Sequence, residues 1–125
     1  MEQASDGKFW CYTEQGIGDV GLSAIGDSVA AAKADLMECY EEARQDAEEN
    51  GKTFPEVEFE YKYDLQSFFN YFSFLNVSDI AKRAGINPSL MRQYVSGVKT
   101  AGEKTYQRLN ACMSDIKADL QAAVF

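Results

Sequence analysis

The stretch "NVSDIAKRAGINPSLMRQYVSG", residues 76–97, holds two helix starts and two helix stops within one short span. Asn76 is a side-chain acceptor placed to cap the first helix, and Gly85 stops it after barely two turns by taking a left-handed conformation without steric cost. Asn87 caps the second helix and Pro88 occupies its first position, where a missing amide hydrogen costs nothing. Gly97 falls just past its end. Spacing then fixes the inner face. Ala81 is small enough for the second helix to cross close by, and Ile86 fills the angle between the helices together with Met91, Tyr94 and Val95. Left outside are Pro88, Ser89, Leu90, Arg92, Gln93 and Ser96.

This mildly basic span sits in a chain of net charge -8, and the charge is unevenly placed. Residues 1–64 hold 16 Asp and Glu against 5 Lys and Arg, a balance of -11, while residues 65–125 hold 4 against 7, a balance of +3. One half can approach an anion and the other repels it. At 125 residues, 46% apolar and 26% charged, the chain has the make-up of an ordinary globular protein of one domain, or of two small ones. No apolar run nears the roughly 18 residues of a membrane span. The start "MEQASDGKFW" is acidic and polar where a signal peptide would be basic and then apolar, so a cytoplasmic location is expected. Cys11, Cys39 and Cys112 are odd in number and widely spaced, and His is absent. That pattern gives no disulfide framework, no zinc site and no histidine base, and the cysteines read as small buried hydrophobes.

Ahead of the basic half, "KFWCYTEQ", the turn "GIGDV" and "VGLSAI" read as a hairpin, with Val20, Leu22 and Ala24 alternating. "GDS" at 26–28 offers an N-cap, and Val29, Ala32, Leu36, Tyr40, Ala43 and Ala47 recur at helical steps up to Gly51. The outer face of this helix carries Asp35, Glu38, Glu41, Glu42, Asp46 and Glu49. After Pro55, "EVEFEYKYD" alternates without a break, placing Val57, Phe59, Tyr61 and Tyr63 on one side, and predicts a strand. From Asp64 the period changes to 3.6 and stays there. Asp64 caps a helix with Leu65, Phe68, Phe69 and Phe72 on one stripe, and Tyr106, Leu109, Met113, Ile116 and Leu120 mark a long closing helix. The expected fold is α+β, with residues 1–63 as one domain and 64–125 as a second, all-α domain.

Two short helices joined by "AGIN" form a helix-turn-helix pattern, and the region of roughly residues 65–110 resembles the repressor-type helix-turn-helix family through Ile80, Ala81, Gly85, Ile86, Met91, Tyr94 and Gly97. The N-terminal half of such a helix enters the major groove of double-stranded DNA. There arginine donates twice to guanine and glutamine pairs with adenine. Arg92 and Gln93 are the expected base readers, and Lys99, Thr100 and Lys104 lie where a following loop meets phosphates. Asn87 and Ser89 complete the expected DNA-binding set.

The order of elements, with "GDSVAAAKADLMECYEEA" opening a long helix, resembles the HicB antitoxin family. Gly26, Asp27, Ser28 and Ala32 match its helix-opening element. The resemblance implies a partial ribonuclease-H-like ββαβ unit ahead of a DNA-binding domain, transcriptional regulation, and a basic HicA-like toxin as partner. The chain departs from the family at "DVGLSAIGDS", which lacks the Pro-Asp-Leu-Pro-Gly type segment that HicB proteins usually carry. Glu38, Glu41, Glu42 and Glu49 are the expected contacts for a basic protein. A helix pair making few phosphate contacts needs two half-sites, so a homodimer or higher oligomer is expected, and the aromatic strand with Trp10 and Tyr12 is either its interface or part of a core. The alternative is a protein-interaction module that uses the acidic helix and binds no DNA. Nuclease chemistry needs convergent carboxylates on adjacent strand ends. Only Asp19 and Asp27 flank a strand, so no enzyme, metal or cofactor is expected.

Overall fold

Within "FWCY", Phe9 and Cys11 point inward while Trp10 and Tyr12 face out, the two-residue period of a strand with one buried face. The computed structural model describes residues 1–18 and 20–125. Strands β1 (Glu2–Gln3), β2 (Phe9–Tyr12) and β3 (Ser23–Gly26) form an antiparallel sheet in that spatial order. The helices are α1 (Val29–Glu49), α2 (Leu65–Tyr71), α3 (Val77–Ala84), α4 (Pro88–Ser96) and α5 (Glu103–Ala122). The fold is therefore mixed α and β: a small three-stranded sheet and five helices among the described residues. It divides into a first unit of residues 1–71 and a second of residues 72–125. Helix α2 thus belongs with the sheet, one element beyond the boundary expected at residue 64.

In the first unit α1 lies across the sheet and buries Val29, Ala32, Leu36 and Tyr40 against Phe9, Cys11, Leu22 and Ala24. Ser28 caps it by accepting from the Ala31 amide at 3.1 Å. Gly26 is needed where strand meets helix, because a Cβ there would lie 2.5 Å from the Ala32 amide nitrogen. Asp35, expected on the outer face, instead turns to the sheet and accepts from the Ile25 amide at 3.1 Å. The thiol of Cys39 donates weakly to the Ser23 carbonyl at 3.8 Å. These two contacts occupy the outer edge of β3, which would otherwise be open to another strand.

The strand expected after Pro55 does not form. Residues 52–64 are in neither helix nor strand, although the alternation holds from residue 58 on: Phe59, Tyr61 and Tyr63 pack against the core while Glu58, Glu60 and Lys62 stay exposed, and Val57, expected on the inner side, is exposed too. A strand needs a ladder partner, and the neighbouring β1 is only two residues long. The Met1 nitrogen donates to the Lys62 carbonyl at 2.9 Å and the Asp64 amide to the Met1 carbonyl at 3.1 Å. The next amide, that of Gln3, meets a side chain, Asp64 Oδ2, at 3.0 Å. The expected ββαβ order is thereby corrected: β1 is an additional strand, and the element after α1 is extended chain. Asp64 also ends that chain, since its Oδ1 accepts from the Ser67 amide at 2.8 Å and caps α2 as expected. Aromatic edges continue along the segment, with Tyr40 against Phe54 at 5.6 Å and Phe59 at 5.7 Å, and the Tyr40 hydroxyl donates to the Pro55 carbonyl at 2.8 Å.

In the second unit the local signals at 76–97 take the expected forms. Asn76 accepts from the Asp79 amide at 3.0 Å, and Gly85 ends α3 at φ 74°. Pro88 opens α4, and Gly97 follows its end at φ 83°. Ala81 and Met91 are fully buried, and Ile80, Ile86, Leu109 and Cys112 are buried in the same unit. Helix α3 packs on both α4 and α5. Tyr94 and Val95, also expected inside, are half-buried.

Candidate nucleic-acid interface

The cap that starts α4 also fixes what its first turn can offer. Asn87 Oδ1 accepts from the Ser89 amide at 2.9 Å and from the Leu90 amide at 3.2 Å, so its oxygen is engaged in holding the helix. Ser89 and Arg92 are exposed and Gln93 is half-exposed, which leaves the three on the surface of α4 away from buried Met91. Arg92 does not hang free. Its Nη1 donates to Ser78 Oγ at 2.9 Å and its Nη2 to Ser89 Oγ at 3.2 Å.

Beyond Gly97 the Lys99 amide donates to the Gln93 carbonyl at 3.2 Å, which keeps the loop close to the helix end. Lys99, Thr100 and Lys104 are exposed, the last in the first turn of α5. Among the described residues of this unit the one ion pair joins Arg83 to Asp119. The hydrogen bond that Arg83 donates to Asp119 raises the Arg83 pKa. Lys99, Lys104 and Arg92 have no carboxylate partner among the described residues, and Arg108 reaches only the Gly85 carbonyl at 3.5 Å. The expected DNA set therefore falls within one unit and on three consecutive pieces of chain: α4, the following loop and the start of α5. Ser78 was not in that set, because a serine in the first turn of α3 carries no periodic signal pointing to a residue on α4.

The acidic set lies on α1. Glu38, Glu41, Glu42 and Glu49 are all exposed. Glu41 accepts from Arg44 at 2.9 Å, and Arg44 reaches Glu48 at 3.5 Å. The bond to Glu41 raises the Arg44 pKa, but Glu38, Glu42 and Glu49 have no ion-pair partner among the described residues. Burial pushes the Cys39 thiol up, helped by Asp35, Glu42 and Glu38, and burial does the same to Cys11. Both are held in the unreactive thiol form.

Phe59, Tyr61 and Tyr63 are turned to the core, while Trp10 and Tyr12 remain exposed. Asp27 is exposed and sits 3.9 Å from Lys8, and Asp19 lies outside the described residues. Among the described residues no three His, Cys, Asp or Glu side chains are grouped to hold a metal ion, and no helix is long and apolar enough to cross a membrane. No protein-family model matches the chain, and no curated protein or solved structure matches it.

Proposed function

We propose that the chain is a DNA-binding transcriptional regulator related to the HicB antitoxins, or an orphan relative of them, that reads an operator with α4 as a homodimer. The observation that carries the reading is the α3–α4 pair. Ala81 and Met91 are fully buried between short helices joined by a left-handed glycine, while Ser89, Arg92 and Gln93 stay outside on one helix. That is the arrangement in which a second helix presents donors to the major groove. Unpaired Lys99 and Lys104 support phosphate contact, and the positive balance of this half supports approach to a polyanion. The expected ribonuclease-H-like identity of the first unit belongs to the same proposal, as does a basic HicA-like toxin docking on α1.

A second reading, a protein-interaction module, is favoured by one observation: Arg44 neutralises little of the acidic face of α1. The experiment that separates the two is selection from randomised duplexes by the full chain at low salt. The expected product is a site with two symmetry-related halves about one helical turn apart. Retention of no duplex would overturn the DNA reading and leave the interaction module.

A further inference from the structure

We propose that Ser78, on α3, is a positioning residue for Arg92 on α4 and determines which base that arginine reads; the proposal rests on the DNA-reading function above. An arginine at an exposed helical site has many rotamers, and a contact to its own helix alone, here Ser89 one turn back, leaves the guanidinium free to swing. Ser78 removes that freedom, because it lies 14 positions upstream on a different helix. The two helices are locked by fully buried Ala81 and Met91. The direction of the guanidinium is therefore tied to the frame of the helix pair and not to one helix surface.

The chemistry of the cluster selects its partner. Two of the five N–H donors of arginine are used by the serines, and the others remain on the same planar fork. Each serine oxygen accepts from Arg92 and keeps its own O–H to donate. Each Oγ also keeps one lone pair, but with three N–H groups of Arg92 and two hydroxyl protons the outward face is predominantly a donor surface. In the major groove guanine presents two acceptors, N7 and O6, whereas adenine and cytosine each place a donor there. A fork held at a fixed angle meets both guanine acceptors at once; a loose one settles for a single acceptor on any base. Loss of the tether should therefore relax the choice of base as well as weaken binding.

The test runs the selection from randomised duplexes in parallel on the full-length wild type, Ser78→Ala and Arg92→Ala, each first checked for an unchanged thermal midpoint. The wild type is expected to enrich a guanine in each half-site that Arg92→Ala no longer demands. Ser78→Ala should relax that same guanine while keeping the flanking positions. It should bind the wild-type site about threefold to tenfold more weakly with little change on random DNA, and it should add no further loss in the Arg92→Ala background. Ser78→Thr, which keeps the hydroxyl, is expected to keep the guanine, and it carries the test if Ser78→Ala fails to fold. An unchanged motif in Ser78→Ala, or an equal loss on selected and random duplexes, overturns the positioning role and leaves the DNA function standing. A wild type that enriches nothing overturns the function and the proposal together.

Discussion

The ammonium of Lys33 lies 3.7 Å from the ring centroid of Tyr71. It also sits 4.2 Å from the ring of Tyr61 and 5.3 Å from that of Tyr63, so one cation on α1 faces three tyrosines from the extended segment and α2. Partial burial opposes the charge, but hydrogen bonding to Tyr63 and the Tyr63 and Tyr71 phenols raise the ammonium above its ordinary 10.5. Burial likewise lifts Tyr61 above 10.0. A group whose pKa is raised on folding contributes its stability in full below the unfolded pKa and loses it as pH rises through the folded one. Stability is therefore predicted to hold up to about pH 10 and to fall above it. Lys33→Met should lower stability by about 1 kcal/mol near neutrality and decline less steeply in alkali. A denaturant midpoint with the same alkaline slope in both proteins would show that the three tyrosines do not stabilise the Lys33 charge.

Asp64 and Ser67 predict opposite outcomes from neighbouring substitutions. Asp64→Ala removes the cap of α2 together with the tie to Gln3, and it should cost about 1 to 2 kcal/mol in a denaturant titration, with Asp64→Asn closer to wild type. Ser67 is fully buried and its hydroxyl finds no hydrogen-bond partner among the described residues. Ser67→Ala should then be neutral or stabilising by up to about 1 kcal/mol, because it removes an uncompensated polar group of nearly the same size. A loss above that for Ser67→Ala would mean the hydroxyl is satisfied in solution.

Ala81→Glu places an unpaired carboxylate where nothing is exposed. The cost, several kcal/mol, is comparable with the roughly 5 to 15 that hold a domain folded. The helix pair is expected to unfold and DNA binding to vanish with it. An unchanged melting temperature would place residue 81 at the surface.

Arg92 and Lys99 should separate base reading from backbone contact. Arg92→Ala is expected to cost about 1 to 3 kcal/mol on the preferred site and to relax specificity. Lys99→Ala should weaken all sequences alike and reduce the salt slope by about one unit. Equal losses on specific and random DNA for Arg92→Ala would rule out base reading.

Reversing Glu38, Glu41, Glu42 and Glu49 to Lys alters only exposed positions of α1, away from the buried Val29, Leu36 and Tyr40. It does sacrifice the Glu41–Arg44 pair, an exposed contact of small value. The reversed chain is expected to fold and to bind DNA more tightly at low salt, and the gain should shrink as screening shortens to about 8 to 10 Å. Unchanged affinity and salt dependence would make the acidic face a solvated surface.

The basic half was legible because its instructions are local. Asn76, Gly85, Asn87, Pro88 and Gly97 each act on the residues beside them, and each took the expected conformation. The first half is legible where periodicity or a cap decides, as in α1 with Ser28 and at Asp64. Alternation in residues 56–63 gives the extended direction and the buried side, but a strand also depends on the length of its neighbour, which lies far off in sequence. Glu2 and Gln3 are both exposed and carry no pattern, so β1 could not be read at all. Asp35 was misplaced for a related reason: a carboxylate one step off the apolar stripe looks solvent-facing until the Ile25 amide arrives beside it. Of the candidate site, the outward residues followed from helix spacing, whereas the Ser78–Arg92 bond joins two helices and has no local signature.

The tie between β1 and residues 62–64 also orders events during synthesis. Met1 and Gln3 meet their partners 61 positions downstream, whereas Tyr12 of β2 pairs with Ser23 of β3 only 11 positions on. At roughly 5 to 20 residues per second, Met1 and Gln3 wait several seconds for the segment that fastens them. The three strands and α1 can settle first, with the outer edge of β1 still an open ladder able to pair with another nascent chain. How long that edge stays open is set by how far along the chain Asp64 lies, so an insertion in the loop after α1 would lengthen the exposure without altering the finished molecule's contacts.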